Sequence, residues 1–349
     1  YQAWLNMAQV KRPLFGLLWE VAIRPLPEFI EFVGQGHEIE PDQVQPEMFF
    51  PFIESWFRRD ALLSSDIIQS FSPAFGILWA EAILGCSLIT GQGSIWSKPF
   101  LESYEDWTPV YLNSENPWLD KLLEFTKALV DLSDGRFPVS LPPIHSPLDM
   151  LGSIRGGQKM LLDLVEQPSA VKRTLSDLTQ LYMSIVGRCL DIIPPFCGGY
   201  TTRMRMWAPG RAIVPQNEYA PMISTEMYET FALEIDRAIT EHFPYHSFHL
   251  HGTGQHQIDA LLSLERLTAI QLTLEHHMGG PSLEVTLPLA RNILQKKPLL
   301  LAVPDLDTAE ICIQELPWQG LFILIMEDSY TLDEKYDEWL EAHCTLPYL

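Results

Sequence analysis

Ala269-Ile270-Gln271-Leu272-Thr273-Leu274, Leu299-Leu300-Leu301-Ala302-Val303 and Leu321-Phe322-Ile323-Leu324-Ile325-Met326 are three short, almost uninterrupted apolar runs. Each has the length of a strand, and apart from Gln271 and Thr273 each is apolar at odd and even positions alike, as befits a strand covered on both faces. His246–His251 and Tyr200–Trp207 read the same way on either side of a helical stretch. That stretch, Met222–His242, opens with Ser224 as a candidate N-cap and Glu226 in the first turn. It then places Phe231, Ile235 and Ile239 at helical spacing. Val171–Leu190 follows Pro168 and Ser169, and its Leu175, Leu178, Tyr182 and Ile185 recur three or four apart. Strand and helix in alternation, with strands buried on both faces, imply a parallel sheet. This many units favours closure into a (β/α)8 barrel of the TIM type over an open doubly wound sheet. A Gly-rich phosphate loop after an early strand is missing, which lowers a dinucleotide fold further.

The first half is less regular. Pro13–Val21 and Phe137–Leu141 are candidate strands, and Asn116–Leu132 a helix with Pro117 in its first turn. Glu38–Phe52, rich in Pro and Gln, reads as an insertion loop, so residues 1–60 are expected to form an N-terminal extension of one barrel domain spanning 1–349. With 349 residues, 47% of them hydrophobic, the chain can bury a large core. Its 45 acidic against 23 basic residues, net −22, would repel nucleic acid and an anionic membrane surface. No apolar run approaches the ~20 residues of a membrane span. The five cysteines are scattered, with no disulfide or Cys-only zinc spacing, which suits a reducing compartment, the cytoplasm. The first residue is Tyr1 rather than Met, as when a short leader or the true start precedes it.

In a barrel, chemistry gathers where strands end. Here His249 and His251, then Glu275, His276 and His277, then Asp305, then Glu327 and Asp328 close four successive candidate strands. The sharpest constellation is His249-Leu250-His251-Gly252, because residues two apart on a strand share a face and can aim two imidazoles at one point. Glu327, Asp328 or Glu275 could complete a site for zinc or another divalent ion. The plainer alternative buries His249 against a backbone carbonyl and leaves His251 in a wet loop. His276 and His277, being adjacent, read as a solvent-facing loop. Arg203 and Arg205 would share a strand face before Trp207, either clamping a carboxylate or phosphate or making rim salt bridges. Trp96, Trp107 and Trp118 are expected to pack in core or loops, although aromatic walls also suit a flat cofactor. His145 and Ser146 lack the nucleophile elbow of a serine hydrolase.

Met222-Ile223-Ser224-Thr225-Glu226-Met227-Tyr228-Glu229-Thr230-Phe231 resembles the M-I-S-P-E-M-F-E-E-F helix start of the uroporphyrinogen decarboxylase superfamily, with Thr225 in place of proline. Phe75-Gly76, Leu84-Gly85-Cys86, Ser146-Pro147-Leu148, Arg155-Gly156, Phe248–Gly252 and Asp259 extend the likeness from about Asp60 onward. The resemblance implies a TIM-type barrel and two functional branches. In the corrinoid methyltransferase branch, a His-x-Cys-Gly motif and a late Cys hold zinc. His249 matches the first ligand, His251 stands where the first Cys would be, and Glu327 or Asp328 where the late one would be. This branch implies a small substrate or a corrinoid-bound methyl group, a corrinoid protein as partner, and admits a homodimer. Glu218 stands where relatives often carry an acid lining the pocket. The decarboxylase branch, a lyase acting on a tetrapyrrole, can be laid on Glu20–Glu28 and Ser65–Ile68. It would give roles to Arg24 and Asp66, with Glu20 replacing an arginine. A catalytically silent binding protein of the same fold is the third reading. Arg203, Arg205 and Trp207 are the candidate cofactor contacts.

Overall fold

A computed structural model describes residues 1–19, 24–61, 63, 65–112, 115–327 and 334–344. Six parallel strands form its central sheet: β1 (Leu14–Trp19), β2 (Ala212–Ile213), β3 (Tyr245–His251), β4 (Ala269–Thr273), β5 (Leu299–Val303) and β6 (Leu321–Glu327). They are ordered β1-β6-β5-β4-β3-β2, and the sheet curls into a half-barrel. Four of these were expected within a residue or so of their observed ends, because a fully buried strand announces itself by apolarity alone.

Side-chain alternation then sorts the sheet into two cores. Phe15, Leu17, Phe248, Leu250, Ile270, Leu272, Leu301, Ile323 and Ile325 point outward and pack in the larger core with the helices. Leu14, Ala212, Ala269, Leu300, Ala302, Phe322 and Leu324 point inward and fill the lower interior together with Trp4, Met204 and Met206. Gly16 is the inward position between Leu14 and Leu18, where a Cβ would stand 2.2 Å from the Ile67 side chain; only glycine lets that segment cross the strand. Toward the carboxyl ends the inward positions turn polar: Gln271 and Thr273 on β4, His249 and His251 on β3.

Phe137–Leu141 does not become a ladder strand. Val139 makes one parallel bridge to Phe71, through Phe71 N to Pro138 O at 3.1 Å and Ser140 N to Phe71 O at 2.8 Å. Pro138, Pro142 and Pro143 lack the N–H groups a longer ladder needs. The parallel sheet therefore has six strands among the described residues, and the eight expected of a closed barrel are not found there. Tyr200–Trp207 is not one strand either: Tyr200–Thr201 and Trp207–Ala208 pair antiparallel around a turn that puts Arg205 at φ 66. The turn is closed by Arg205 N to Thr202 O at 2.9 Å and Thr202 N to Met206 O at 2.8 Å, while Met204 and Met206 drop into the interior. Residues 1–60 do more than extend the fold, since they supply β1. The expected insertion loop holds two short 3-10 turns and the start of helix α1 (Phe50–Asp60). Phe49 there is fully buried, with its ring 4.5 Å from that of Phe75 and 5.0 Å from that of Phe125.

The helices that position the site are α2 (Trp79–Leu84), α3 (Pro117–Ser133), α4 (Pro147–Arg155), α5 (Pro168–Ile192), α6 (Thr225–Phe231) and α7 (Leu233–His242). Asn116 caps α3 through Leu119 N, and Ser224 caps α6 through Met227 N, the cap expected from sequence. The single expected helix after Met222 breaks at Ala232 into α6 and α7, and Tyr228 on one donates its hydroxyl to buried Asp236 on the other. No described helix is long and apolar enough to cross a membrane.

Candidate metal centre

β3 delivers His249 and His251 to the same inward face, with ring centroids 4.7 Å apart. Just beyond β2 the chain continues alongside β3: His249 N donates to Pro215 O at 2.8 Å, and Gln216 bridges to His249. Two residues further, on the same face, is Glu218, whose Oε2 lies 3.2 Å from His251 Nε2. One nitrogen from each histidine and one Glu218 oxygen all lie within 4.8 Å of one another. Two imidazoles and a carboxylate beside a cavity of about 660 Å³ form a donor set that suits a divalent ion with a position left open.

Each of the three is held from behind. Gln271 donates its amide to Thr273 Oγ1 at 3.0 Å, so its oxygen accepts from His249 Nδ1, leaving the His249 Nε2 lone pair for the cavity. His251 Nδ1 meets Glu275 Oε1 at 2.6 Å. The Glu218 and Tyr219 amides donate to Asp149 Oδ1 at 2.9 and 3.3 Å, while Asp149 Oδ2 closes the capping box of α4 with Ser146. The Tyr219 ring packs on Gly152, where a Cβ would stand 2.3 Å from it, so the absence of a side chain there lets α4 approach the Glu218 segment.

These contacts set the charges. Burial, with Arg203 adding to it, drives His249 down to about 4, so its imidazole is neutral near neutral pH. Hydrogen bonds to Glu218 and then to Glu275 lift His251 to about 10. Burial alone would raise Glu218, but the His251 hydrogen bond and the neighbouring imidazole charges overcome it and hold the carboxyl at about 2. On the adjoining wall His145 Nδ1 meets buried Glu81 Oε1 at 2.5 Å. Burial opposes the imidazolium there, yet Glu81 wins and lifts His145 to about 9. Asp149, raised to about 7 chiefly by burial, completes this wall.

Of the residues expected from sequence, His249, His251, Glu218, Arg24, Arg203 and Arg205 border this cavity. Glu275 borders it as well but backs His251. Among the described residues the acid within reach of both histidines is Glu218; Glu327 is the last residue of β6, and Asp328 and Glu20 lie outside the described residues. Asp66 is absent from the cavity lining: its carboxylate takes a forked bond from Arg12 at 2.5 and 2.8 Å and the Phe15 amide at 2.9 Å. Trp207 also points elsewhere, donating Nε1 to Phe196 O at 3.1 Å with its ring 6.4 Å from that of Tyr1. Trp107 donates to Asp177, Trp118 packs on Trp79, and His277 lies exposed at the cavity rim. Arg203 and Arg205 border the cavity from a turn, not from a shared strand face. Sequence reasoning passed over Gln271, Asp149 and Glu81. Gln271 carried a signal, a lone amide amid Ala269-Ile270 and Leu272 at the position facing His249.

No protein-family model matches the sequence, and no curated protein matches it. Among solved structures the fold is similar to a methyltransferase from Methanosarcina mazei, with a TM-score of 0.67 over 98% of this chain and 96% of that one. The two are 12% identical, so the likeness is one of fold.

Proposed function

We propose that this chain is a metal-dependent, methyltransferase-like enzyme of the uroporphyrinogen decarboxylase superfamily, acting on a small substrate or a corrinoid-bound methyl group. The observation that carries the reading is the convergence of Glu218, His249 and His251 at the floor of the cavity. In this reading the barrel is a single domain of eight staves, two of them reduced to the Phe71 and Val139 segments.

Zinc or another divalent ion held there would supply Lewis-acid polarisation of a substrate heteroatom. The chain's own residues do the rest. Gln271 keeps His249 in the tautomer that offers Nε2, Glu275 orients His251, and Asp149 fixes the backbone that carries Glu218. His145, held charged by Glu81, can give up a proton to a leaving group at neutral pH. Two imidazoles and a carboxylate are harder donors than a thiolate pair, which suits an oxygen or nitrogen heteroatom better than a thiol. A cytoplasmic corrinoid protein docking at the mouth belongs to this reading, and a homodimer is compatible with it.

Elemental analysis of protein purified without chelators tests it. About one equivalent of a divalent metal is expected, and its loss in His249→Ala. Wild-type protein that neither carries nor takes up such an ion, or a variant that retains it fully, ends the reading.

A further inference from the structure

Every acid lining the cavity is engaged. Glu218 and Glu275 both face His251, and Asp305 caps its own helix through Thr308 N at 2.7 Å. Two arginines of the lining, Arg203 and Arg205, are not matched in this way. Arg203 reaches Gln216 Oε1 and the Met204 sulfur, and Arg205 donates from Nη1 to Ser70 O at 2.9 Å and Ser70 Oγ at 3.2 Å. Among the described residues neither guanidinium meets a carboxylate within 4.0 Å, although Arg205 is only 4% exposed. The acid Arg203 senses most is Glu218, already committed to His251. Arg205 Nε and the Ser140 hydroxyl, on side chains 4% and 2% exposed that both border the cavity, have no hydrogen-bond partner.

A buried cation bonded only to neutral groups costs several kcal/mol of desolvation unless an anion completes it, and an unmet buried donor adds to that. A chain of net charge −22 does not lack carboxylates to supply; Glu218 and Asp60 act on Arg203 and Arg205 from a distance, and among the described residues none pairs with either. A guanidinium edge matches the two oxygens of a carboxylate or phosphate. Arg203 is also adjacent to the metal-ligand trio, because the Gln216 it binds is the residue that bridges to His249.

From these observations we propose that the substrate carries an oxyanion, which binds in the cavity on Arg203 and Arg205 beside Ser140, with its reactive heteroatom turned toward Glu218, His249 and His251. This rests on the cavity being the substrate site, as proposed above, but not on a metal being bound.

Calorimetric titration of chelator-treated and zinc-loaded protein with benzoate, inorganic phosphate and the neutral benzamide tests the proposal. One of the two anions should bind both forms, which identifies the oxyanion, and benzamide should not. Arg203→Met and Arg205→Met should each weaken that binding by about 30-fold or more, the loss of one partner of a buried charged pair. Ser140→Ala should weaken it several-fold and guards against misfolding of the arginine variants, whose melting is followed in parallel. Absence of binding by either anion, equal binding of benzamide, or unchanged binding in all three folded variants overturns the proposal. Zinc content without anion binding refutes this inference alone, and anion binding without metal uptake refutes the metal reading alone.

Discussion

Zinc binding should tighten by about tenfold for each unit of pH between about 5 and 9, with one proton released per ion. The magnitude follows from which donors hold a proton in the metal-free protein. Glu218, at about 2, is ionised throughout that window, and His249, at about 4, is already neutral. His251 alone, lifted to about 10 by Glu218 and Glu275, keeps a proton that an ion must displace from Nε2. Its folded-state value lies above that of a free imidazole, so the protonated pair with Glu218 is fully present at low pH, where it competes hardest, and is lost as pH rises toward 10. Calorimetric titrations at pH 6, 7 and 8, each in two buffers of different ionisation heat, read both the affinity and the proton count. Glu275→Gln removes one of the two negative charges and should lower His251 while Glu218 still holds it above a free imidazole, so the dependence should flatten at the alkaline end of the window first. A slope of two would mean that His249 also arrives protonated, and a slope of zero that the carboxylates do not hold the His251 proton; either result refutes the reasoning.

Gln271→Met should lower zinc affinity by about 10- to 100-fold with little change in melting temperature, since it removes the acceptor that fixes the His249 tautomer. Asp66→Asn should cost about 3 kcal/mol of stability in denaturant titrations by undoing the forked Arg12 bond. Metal content should not change, whereas a tetrapyrrole-cleaving role for Asp66 would show as lost turnover in a protein of unaltered stability. Asp236, raised to about 8 by burial, binds a proton in the folded state that the unfolded chain releases near pH 4, so stability should fall as pH rises from about 4 to 8. Melting curves of Asp236→Asn should lack that fall.

The parts of this protein that were legible in its sequence are those encoded locally. β5 and β6 are readable because strands buried on both faces are apolar along most of their length, β4 because Gln271 and Thr273 alone interrupt its apolar run, and the convergence of His249 and His251 follows from the two-residue period of β3 alone. The third donor was not legible as a ligand. Glu218 reaches the histidines through a long-range pairing at Gln216 and a backbone clamp from Asp149, and neither leaves a local mark in the sequence. The stretch around Arg203 misled for the opposite reason. Its alternation imitates a strand, while the left-handed backbone at Arg205 and the Thr202 turn bonds reverse the chain inside it. Prolines were ambiguous in both directions: Pro41 and Pro46 start short helical turns in what reads as a loop, whereas Pro138, Pro142 and Pro143 thin out what reads as a strand.

That thinning leaves a weakly joined seam beside the half-barrel. β3 to β6 are laced edge to edge, but Phe71 and Val139 are joined at one bridge only. Amides along the seam should exchange with solvent well before those of the laced strands, because opening it breaks few bonds and uncovers little apolar surface. Ser70 and Ser140 stand on its two lips and both border the cavity, so an anion seated between them would act as a stitch. Occupancy would then be read as slowed exchange along the Phe71 and Val139 segments, where a single bridge joins the two.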